Sequence, residues 1–514
     1  MRDQKKSGAI LSYVHIMINC MLGLVYVKYL RDKLGQAEYG LYATVDSIIA
    51  YLAILDCGFG NAIIRYTARY RAEENKEKEY ELNGMFLILY TIIGVVAFSV
   101  GMAICRNVGA FYQANPNYSY QDILLMKKLM SIMVVNVAIT FPLSIFGAII
   151  TAYERFNIPK VLNIIRTLLQ PCIMLPLLLL GYKSVALVVV TTILNLSVLI
   201  FNLFYCLKIL KIKIKIKRFD RSLFREISIY AFYILLNILV DKIYLSTDNI
   251  ILSIVVSKNA VAVYALAMQL YNYYILFSTA INGVFLPKLA MLVTESEKSK
   301  KEEYNKRISD IFLKVGRIQY MVVSLVLVGF VVVGKDFVLL WGGTDYKTAY
   351  YIELILMIPA LIPLIQNIGI SVLQAKNIHK FRSILYVFIA IANVGLTIPL
   401  AAQFAGVGAA IGTGIATLVG QGIVMNWYYY KRAQIDIPRF WKEIIRLVPN
   451  TIAFLIVGIL LNYIWREVSY LAIGVKAVVC TSIYLCLLWT NGMNQYEKNL
   501  VRGIFERVRR IKGK

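Results

Sequence analysis

Acidic residues and histidine are scarce in this chain of 514 residues, which has 29 Asp and Glu and two His against 55 Lys and Arg. The seven cysteines are scattered without paired spacing, so neither a disulfide framework nor a zinc site is indicated. A phosphate-cradling P-loop is also missing from the sequence, as is any nucleophile and base at catalytic spacing. No cofactor and no metal site are therefore predicted, and any driving energy has to come from an ion gradient or a substrate gradient.

Long hydrophilic segments are missing too, because 59% of the residues are hydrophobic and only 16% are charged. A membrane span needs about 20 apolar residues to cross a hydrocarbon core of about 30 Å. The apolar runs are continuous rather than alternating, which favours helices over strands. We predict an all-α polytopic membrane protein with about fourteen transmembrane helices. The predicted spans are 9–30, 41–63, 82–105, 129–150, 161–181, 185–207, 227–254, 261–285, 312–334, 351–375, 381–401, 408–430, 447–464 and 471–490.

The net charge of +26 is distributed as in a membrane protein rather than a nucleic-acid-binding one. Most Lys and Arg fall in every second gap between the spans, which by the positive-inside rule predicts cytoplasmic N- and C-termini. The segments 208–218 and 502–514 are the most basic, and we expect them to contact anionic lipids at the cytoplasmic face. The first span follows a short basic segment and is predicted to stay as a signal anchor.

The sequence repeats itself weakly at a shift of about 222 residues. Residues 40–43 resemble 262–265, residues 150–152 resemble 373–375, and residues 205–208 resemble 429–431. An even number of spans separates the two copies, so the repeat is parallel, as in transporters whose substrate site lies between two halves. The predicted domains are an N-terminal lobe at 1–210, a basic linker at 211–226, a C-terminal lobe at 227–431, two additional spans at 432–490 and a basic tail at 491–514.

Three short motifs resemble a known family. Leu34-Gly35-x-x-Glu38-Tyr39-Gly40-Leu41-Tyr42, Ala152-x-Glu154-Arg155-Phe156 and Phe337-Val338-Leu339-Leu340-Trp341-Gly342-Gly343-x-x-Tyr346-x-x-Ala349 are similar to turns of the multidrug/oligosaccharidyl-lipid/polysaccharide (MOP) exporters. Together with the span count they point to the polysaccharide-exporter branch, the Wzx-like flippases. The resemblance implies two six-helix lobes around a central cavity that opens alternately to either side of the bacterial inner membrane.

The same resemblance implies a substrate made of a polyprenyl diphosphate that carries a short oligosaccharide, with polysaccharide assembly proteins as candidate partners. Lipid II flippases also have fourteen spans, so they remain an alternative, whereas drug exporters of this superfamily usually have twelve. A membrane-embedded polymerase or ligase is the competing enzyme class. Such enzymes normally have large external loops with catalytic charges, and the external loops here are short.

Ionisable residues inside the spans are the candidate site residues, because each costs at least about 2.5–3.5 kcal/mol to insert. The seventh span has Asp241, Lys242 and Asp248, and the two acids lie within about 20° on one helix face. Lys242 is a candidate partner for the diphosphate, and the acids are candidates for ion coupling or for positioning Lys242. The alternative is an internal ion pair that only holds two helices together.

Other spans contain single candidates. Asp46 and Asp56 in the second span, and His15 in the first, are candidates for coupling to H⁺ or Na⁺, or else are structural hydrogen-bonding groups. Arg166 in the fifth span is a second candidate for the diphosphate, with an interhelical role as the alternative.

Polar and charged side chains elsewhere are weaker candidates. Gln269, Asn272 and Tyr273 in the eighth span suit sugar hydroxyls and rings, and equally suit interhelical hydrogen bonds. Lys314 and Arg317 begin the ninth span, where they either attract an anionic head group or only mark topology. Lys28, Lys476 and Glu353 lie close enough to span ends for their charges to reach the interface.

Overall fold

The structure is a computed structural model that describes the backbone of residues 2–113, 115–215, 221–295, 301–376, 378 and 380–512. Helices account for nearly all of these residues, and strands are absent from them. The helices are α1 (Arg2–Leu34), α2 (Gln36–Leu52), α3 (Phe59–Ala72), α4 (Lys76–Tyr112), α5 (Tyr120–Ala152), α6 (Asn157–Leu179), α7 (Ser184–Phe204), α8 (Arg221–Val255), α9 (Lys258–Glu295), α10 (Lys301–Gly342), α11 (Ala349–Ile365), α12 (Ile368–Ala375), α13 (Lys380–Ala416), α14 (Met425–Lys431), α15 (Ile437–Ile445), α16 (Val448–Ile464), α17 (Tyr470–Leu487) and α18 (Gln495–Lys512).

Within the described residues, eleven helical segments are long and apolar enough to cross a membrane. They cover all the predicted spans except the first and the seventh, which lie in α1 and α8. The longest segment, residues 380–431, covers two predicted spans. The all-α, multi-pass fold predicted from the sequence is confirmed, and the segments are consistent with about fourteen spans.

The segment 380–431 is a helical hairpin rather than one helix. A straight helix of this length would extend about 78 Å at 1.5 Å per residue, more than twice the hydrocarbon core. Ala405 has φ 52° and ψ −133°, which breaks the helical path inside α13. A methyl group added at Gly412 would lie 2.8 Å from Oγ1 of Thr397, so the chain after Ala405 packs back against the chain before it.

Two units can be distinguished by their internal contacts, residues 1–265 and 266–514. In the first unit, one apolar cluster around Met126 joins α2, α4 and α5, and another around Phe86 joins α3, α4 and α5. In the second unit, a cluster around Phe312 joins α10 to α15, α16 and α17. The lobe boundaries drawn from the repeat stay a prediction.

The motif after α1 forms a tight turn whose acidic residue stabilises another helix. Gly35 has φ 77°, a left-handed conformation that favours glycine, and α2 begins directly after it. Glu38 accepts hydrogen bonds from the backbone N of Ser184 at 3.0 Å and from its Oγ at 2.6 Å, at the start of α7. A carboxylate at this position stabilises the N-terminus of α7.

Gly40 marks a close approach between helices of the first unit. A Cβ atom at Gly40 would collide with the backbone carbonyl of Lys258, at the start of α9. The Lys258 ammonium forms an ion pair with Asp122 of α5, and the hydroxyls of Tyr112 and Ser253 lie 2.7 Å apart between α4 and α8. The turn from α8 to α9 is therefore packed tightly onto α2, α4 and α5.

Gly40→Val is expected to destabilise the protein, because two side-chain methyl groups have no room against the Lys258 carbonyl. Overpacking of this kind costs about 1–3 kcal/mol, so the melting temperature of the purified protein in detergent should fall by several degrees. The matched control is Gly474→Val in α17, where an added Cβ meets no atom within 4 Å. Equal melting temperatures for the two variants would contradict the packing described here.

Candidate substrate and ion site

Opposite charges meet where α2 and α8 pack together. The Asp46 carboxyl on α2 is exposed and lies within electrostatic range of the half-buried Lys242 ammonium on α8. Ser47 and Asn249 fix the two helices beside this pair, since Nδ2 of Asn249 donates to Oγ of Ser47 at 3.0 Å. The structure thus brings together two of the predicted site residues. The side chain of Asp241 lies outside the described residues.

Asp248 has a different environment from Asp46. Its side chain is 2% exposed, and the Tyr264 hydroxyl of α9 donates a hydrogen bond to its Oδ2. One residue earlier, the Thr247 hydroxyl pairs with the Tyr51 hydroxyl of α2. These contacts attach the second half of α8, which contains Asp248, to both α2 and α9.

Asp56 lies at a break in the second span. The α-helix ends at Leu52, a 3₁₀ turn covers Ala53–Asp56, and the next two residues, Cys57 and Gly58, both have left-handed φ values of 51° and 74°. The Tyr90 hydroxyl of α4 donates to Oδ1 of Asp56 at 2.7 Å. The carboxyl is therefore held at the point where the helix is interrupted.

His15 and Arg166 lie close together on α1 and α6. Nε2 of His15 is 3.2 Å from the hydroxyl of Thr167, and the Arg166 guanidinium acts on the imidazole electrostatically. Nη1 of Arg166 donates to Oδ1 of Asn195 at 3.2 Å, and Asn195 in turn donates to Asn136 at 3.0 Å. In the part of the chain that the structure describes, no carboxylate forms an ion pair with Arg166. Its positive charge is half-buried and is hydrogen-bonded to the neutral Asn195 amide.

The predicted sugar-binding residues lie at the start of the second unit, on α9. Nε2 of Gln269 donates to the Tyr273 hydroxyl at 3.0 Å, one turn along the same helix, while Asn272 is exposed. The neighbouring Tyr271 and Tyr274 are buried. The exposed Asn272 amide and the hydrogen-bonded Gln269 and Tyr273 side chains could bind sugar hydroxyls or form hydrogen bonds to another helix. Both hypotheses stay open.

Two charged residues were wrongly expected to reach the interface. Glu353 of α11 is 1% exposed, and Lys476 of α17 is 2% exposed. The Lys476 ammonium lies 3.7 Å from Oδ2 of Asp336, at the end of α10. Both side chains are buried among helices of the second unit. The position of a residue along its span does not show whether another helix covers it.

Arg317 is also occupied by protein groups. Nε and Nη2 of Arg317 donate to the two oxygens of Glu497 at 2.7 and 3.0 Å, and Nη1 donates to Oε2 of Glu443 at 3.1 Å. Nη2 also donates to the Gly492 carbonyl at 2.9 Å. This guanidinium anchors α18 to α10 and is not a free cation at a cavity mouth.

Clusters of three or more His, Cys, Asp or Glu side chains arranged to hold a metal ion do not occur among the described residues. Among the predicted site residues, the Asp46 carboxyl is exposed, and the Lys242 ammonium and the Arg166 guanidinium are half-buried. Two cations and one carboxylate on the helices of one unit suit the binding of an anionic group and of a small cation.

Comparison with known proteins identifies the family. A family profile described as polysaccharide biosynthesis protein matches residues 6–293, more than half of the chain. The chain belongs to this family. A Shigella flexneri protein assigned as an O-antigen transporter is 21% identical over 430 residues, which cover 81% of this chain and 96% of that protein.

Two solved structures show that the fold is shared within the MOP superfamily. The lipid II flippase MurJ, in an inward closed conformation, superposes with a TM-score of 0.70 at 16% identity, covering 93% of this chain and 97% of MurJ. An inward-facing MATE family multidrug resistance transporter superposes with a TM-score of 0.63 at 15% identity, covering 85% and 99%. The fold expected from the resemblance to the MOP superfamily is confirmed, and the family match agrees with its polysaccharide branch.

Proposed function

We propose that this protein is a flippase that carries a polyprenyl-diphosphate-linked oligosaccharide across the bacterial inner membrane for surface polysaccharide synthesis. The family match, the O-antigen transporter relative and the multi-pass fold support this proposal. In this mechanism the protein alternates between inward-open and outward-open states. The diphosphate and sugars follow a polar path while the lipid tail stays in the bilayer, and the protein catalyses no covalent step.

The half-buried charge of Arg166, which no carboxylate in the described residues neutralises, is the observation that carries the proposal. A half-buried guanidinium in an apolar helix costs free energy unless a negative group or water compensates it. Within the described residues its hydrogen bond goes to the neutral Asn195 amide, so the charge is available to an anion. A diphosphate offers several acceptor oxygens that match the planar donors of arginine. Lys242 is the second cation, and it would hold the diphosphate as a point charge.

Asp46 is the proposed coupling residue. Its carboxyl is exposed on α2 and faces the Lys242 charge, so binding of a proton or sodium ion at Asp46 changes how strongly Lys242 attracts an anion. Asp248 and Asp56 are held by tyrosine hydroxyls and position α8 and the broken second span. The concentration of Lys and Arg in every second gap between the spans supports cytoplasmic N- and C-termini.

Lipid II flipping is the second candidate, favoured by the similarity of the fold to MurJ over nearly the whole chain. Drug export is the third, favoured by the likeness to a MATE transporter. The phenotype of a strain that lacks the gene distinguishes the three candidate functions. Loss of surface polysaccharide with an intact cell wall supports the proposed substrate. Lysis that is rescued by a known lipid II flippase, or drug sensitivity with normal polysaccharide, would overturn it.

Arg166→Gln is expected to slow translocation of a fluorescent polyprenyl-diphosphate oligosaccharide in proteoliposomes by about ten- to a hundredfold. Loss of one charge-assisted hydrogen bond is worth about 1.5–3 kcal/mol, and Arg166→Lys should retain part of the rate. The control is Lys128→Gln, an exposed cation at the start of α5. An unchanged rate in Arg166→Gln would remove Arg166 from the diphosphate site.

A further inference from the structure

An apolar groove lies where α10, α17 and α18 meet in the second unit. It encloses about 180 Å³ and is lined by side chains such as Met321 and Leu325 of α10, Leu485 of α17 and Leu500 of α18. The charged residue at its wall, Glu497, is occupied by Arg317. The groove therefore presents an almost purely hydrocarbon lining that suits an acyl chain.

Two cations lie near the ring of Trp489, the residue that follows the groove-lining Leu488. The Lys498 ammonium is 5.8 Å from the centre of the Trp489 ring, and the Arg502 guanidinium is 5.7 Å from it. Lys498 and Arg502 are four residues apart, so they lie on the same side of α18. Tryptophan is typical of the membrane–water boundary. Among the described residues neither cation forms an ion pair with a carboxylate.

The rest of α18 fits a position at the membrane surface. Its sequence, QYEKNLVRGIFERVRRIK, alternates apolar and basic residues with a helical period. The bidentate contact between Arg317 and Glu497 fixes the first turn of α18 against the bundle. Lys498 and Arg502 directly follow the groove-lining residues Glu497 and Val501 on this helix, so a ligand with an apolar chain and an anionic head can contact both the groove and the cations.

We propose that the junction of α10, α17 and α18 is a binding site for an anionic phospholipid of the bilayer. One acyl chain occupies the groove, and the phosphate lies between Lys498 and Arg502. The occupant is a bilayer lipid rather than a soluble anion, because the groove is apolar and the cations adjoin its lining residues along α18. This site is independent of the translocated substrate.

Fluorescence quenching of the full-length protein in lipid nanodiscs tests the site. Phosphatidylglycerol with brominated acyl chains quenches tryptophans that it contacts, and brominated phosphatidylcholine at the same mole fraction reports neutral lipid. The chain has five tryptophans, so the Trp489 signal is obtained as the difference from Trp489→Phe. We expect severalfold stronger quenching of Trp489 by the brominated phosphatidylglycerol.

The double variant Lys498→Gln/Arg502→Gln should lose this preference while quenching by brominated phosphatidylcholine persists, which shows that Trp489 still faces acyl chains. The control Lys347→Gln/Arg466→Gln removes two exposed cations elsewhere in the same unit, one of them also over an aromatic ring, and should keep the preference. Equal quenching by both lipids in the wild type, or a preference that survives in the double variant, would overturn the proposal. Displacement of brominated phosphatidylglycerol by polyprenyl phosphate but not by unlabelled phosphatidylglycerol would assign the groove to the substrate tail instead.

Discussion

Cells in which Lys242→Glu replaces the wild-type protein should make no surface polysaccharide, although the variant accumulates to a normal level in the membrane. The wild-type ammonium faces the Asp46 carboxyl on α2. A glutamate would place two carboxylates there and would repel the diphosphate. Reversal of the charge turns the attraction between this position and both Asp46 and the diphosphate into repulsion, so the loss of transport should be complete rather than partial.

Neutral and charge-conserving variants of Lys242 show whether the loss of transport is specific to this site or reflects a general effect of charge on membrane insertion. Lys242→Gln should leave a small residual activity, and Lys242→Arg should keep most of it. Lys128→Glu reverses an exposed cation of α5 and should leave polysaccharide unchanged. Normal polysaccharide in the Lys242→Glu strain, with the variant present in the membrane, would remove Lys242 from the proposed mechanism.

The fold could largely be predicted from the sequence because membrane insertion is decided locally. Each span is recognised by a continuous apolar run, and its ends by charge or turn residues. The segment 380–431 is an example, since the gap predicted between residues 401 and 408 contains Ala405, where the helix breaks. Composition alone was enough to separate those two spans.

The site was only partly predictable, because it depends on which helices meet. Asp46 and Lys242 were each identified as costly charges in a span, but nothing in the sequence pairs α2 with α8. The burial of Glu353 was missed for the same reason, since distance from a span end measures depth in the bilayer and not the presence of a neighbouring helix. The motif residue Glu38 was matched by resemblance, while its role at the start of α7 needed the structure.

The largest effect on stability is expected at Arg317, whose partner Glu497 lies 180 residues away along the chain. Both side chains are 4% exposed, and the guanidinium also contacts Glu443. Arg317→Met would leave the buried Glu497 carboxylate without a counter-charge, whereas Glu443 would keep its ion pair with Arg446. Removal of one partner of such a pair costs about 3–5 kcal/mol, so the purified protein should melt many degrees lower and α18 should become sensitive to protease.

A double-mutant cycle distinguishes this ion pair from ordinary packing at the same place. Arg317→Met/Glu497→Met should recover much of the stability lost in Arg317→Met, because the second substitution removes a buried charge that has lost its partner. The control on the same helix is Arg307→Met, whose contact with Glu303 is exposed on both sides and should be worth less than about 1 kcal/mol. If Arg317→Met and Arg307→Met melt at the same temperature, or if the double variant is no more stable than Arg317→Met, the pair does not fasten α18. The attachment would then rest on other groups of α18, among them Tyr496, whose ring centre lies 5.0 Å from the Lys314 ammonium of α10, and the groove-lining Leu500 and Val501.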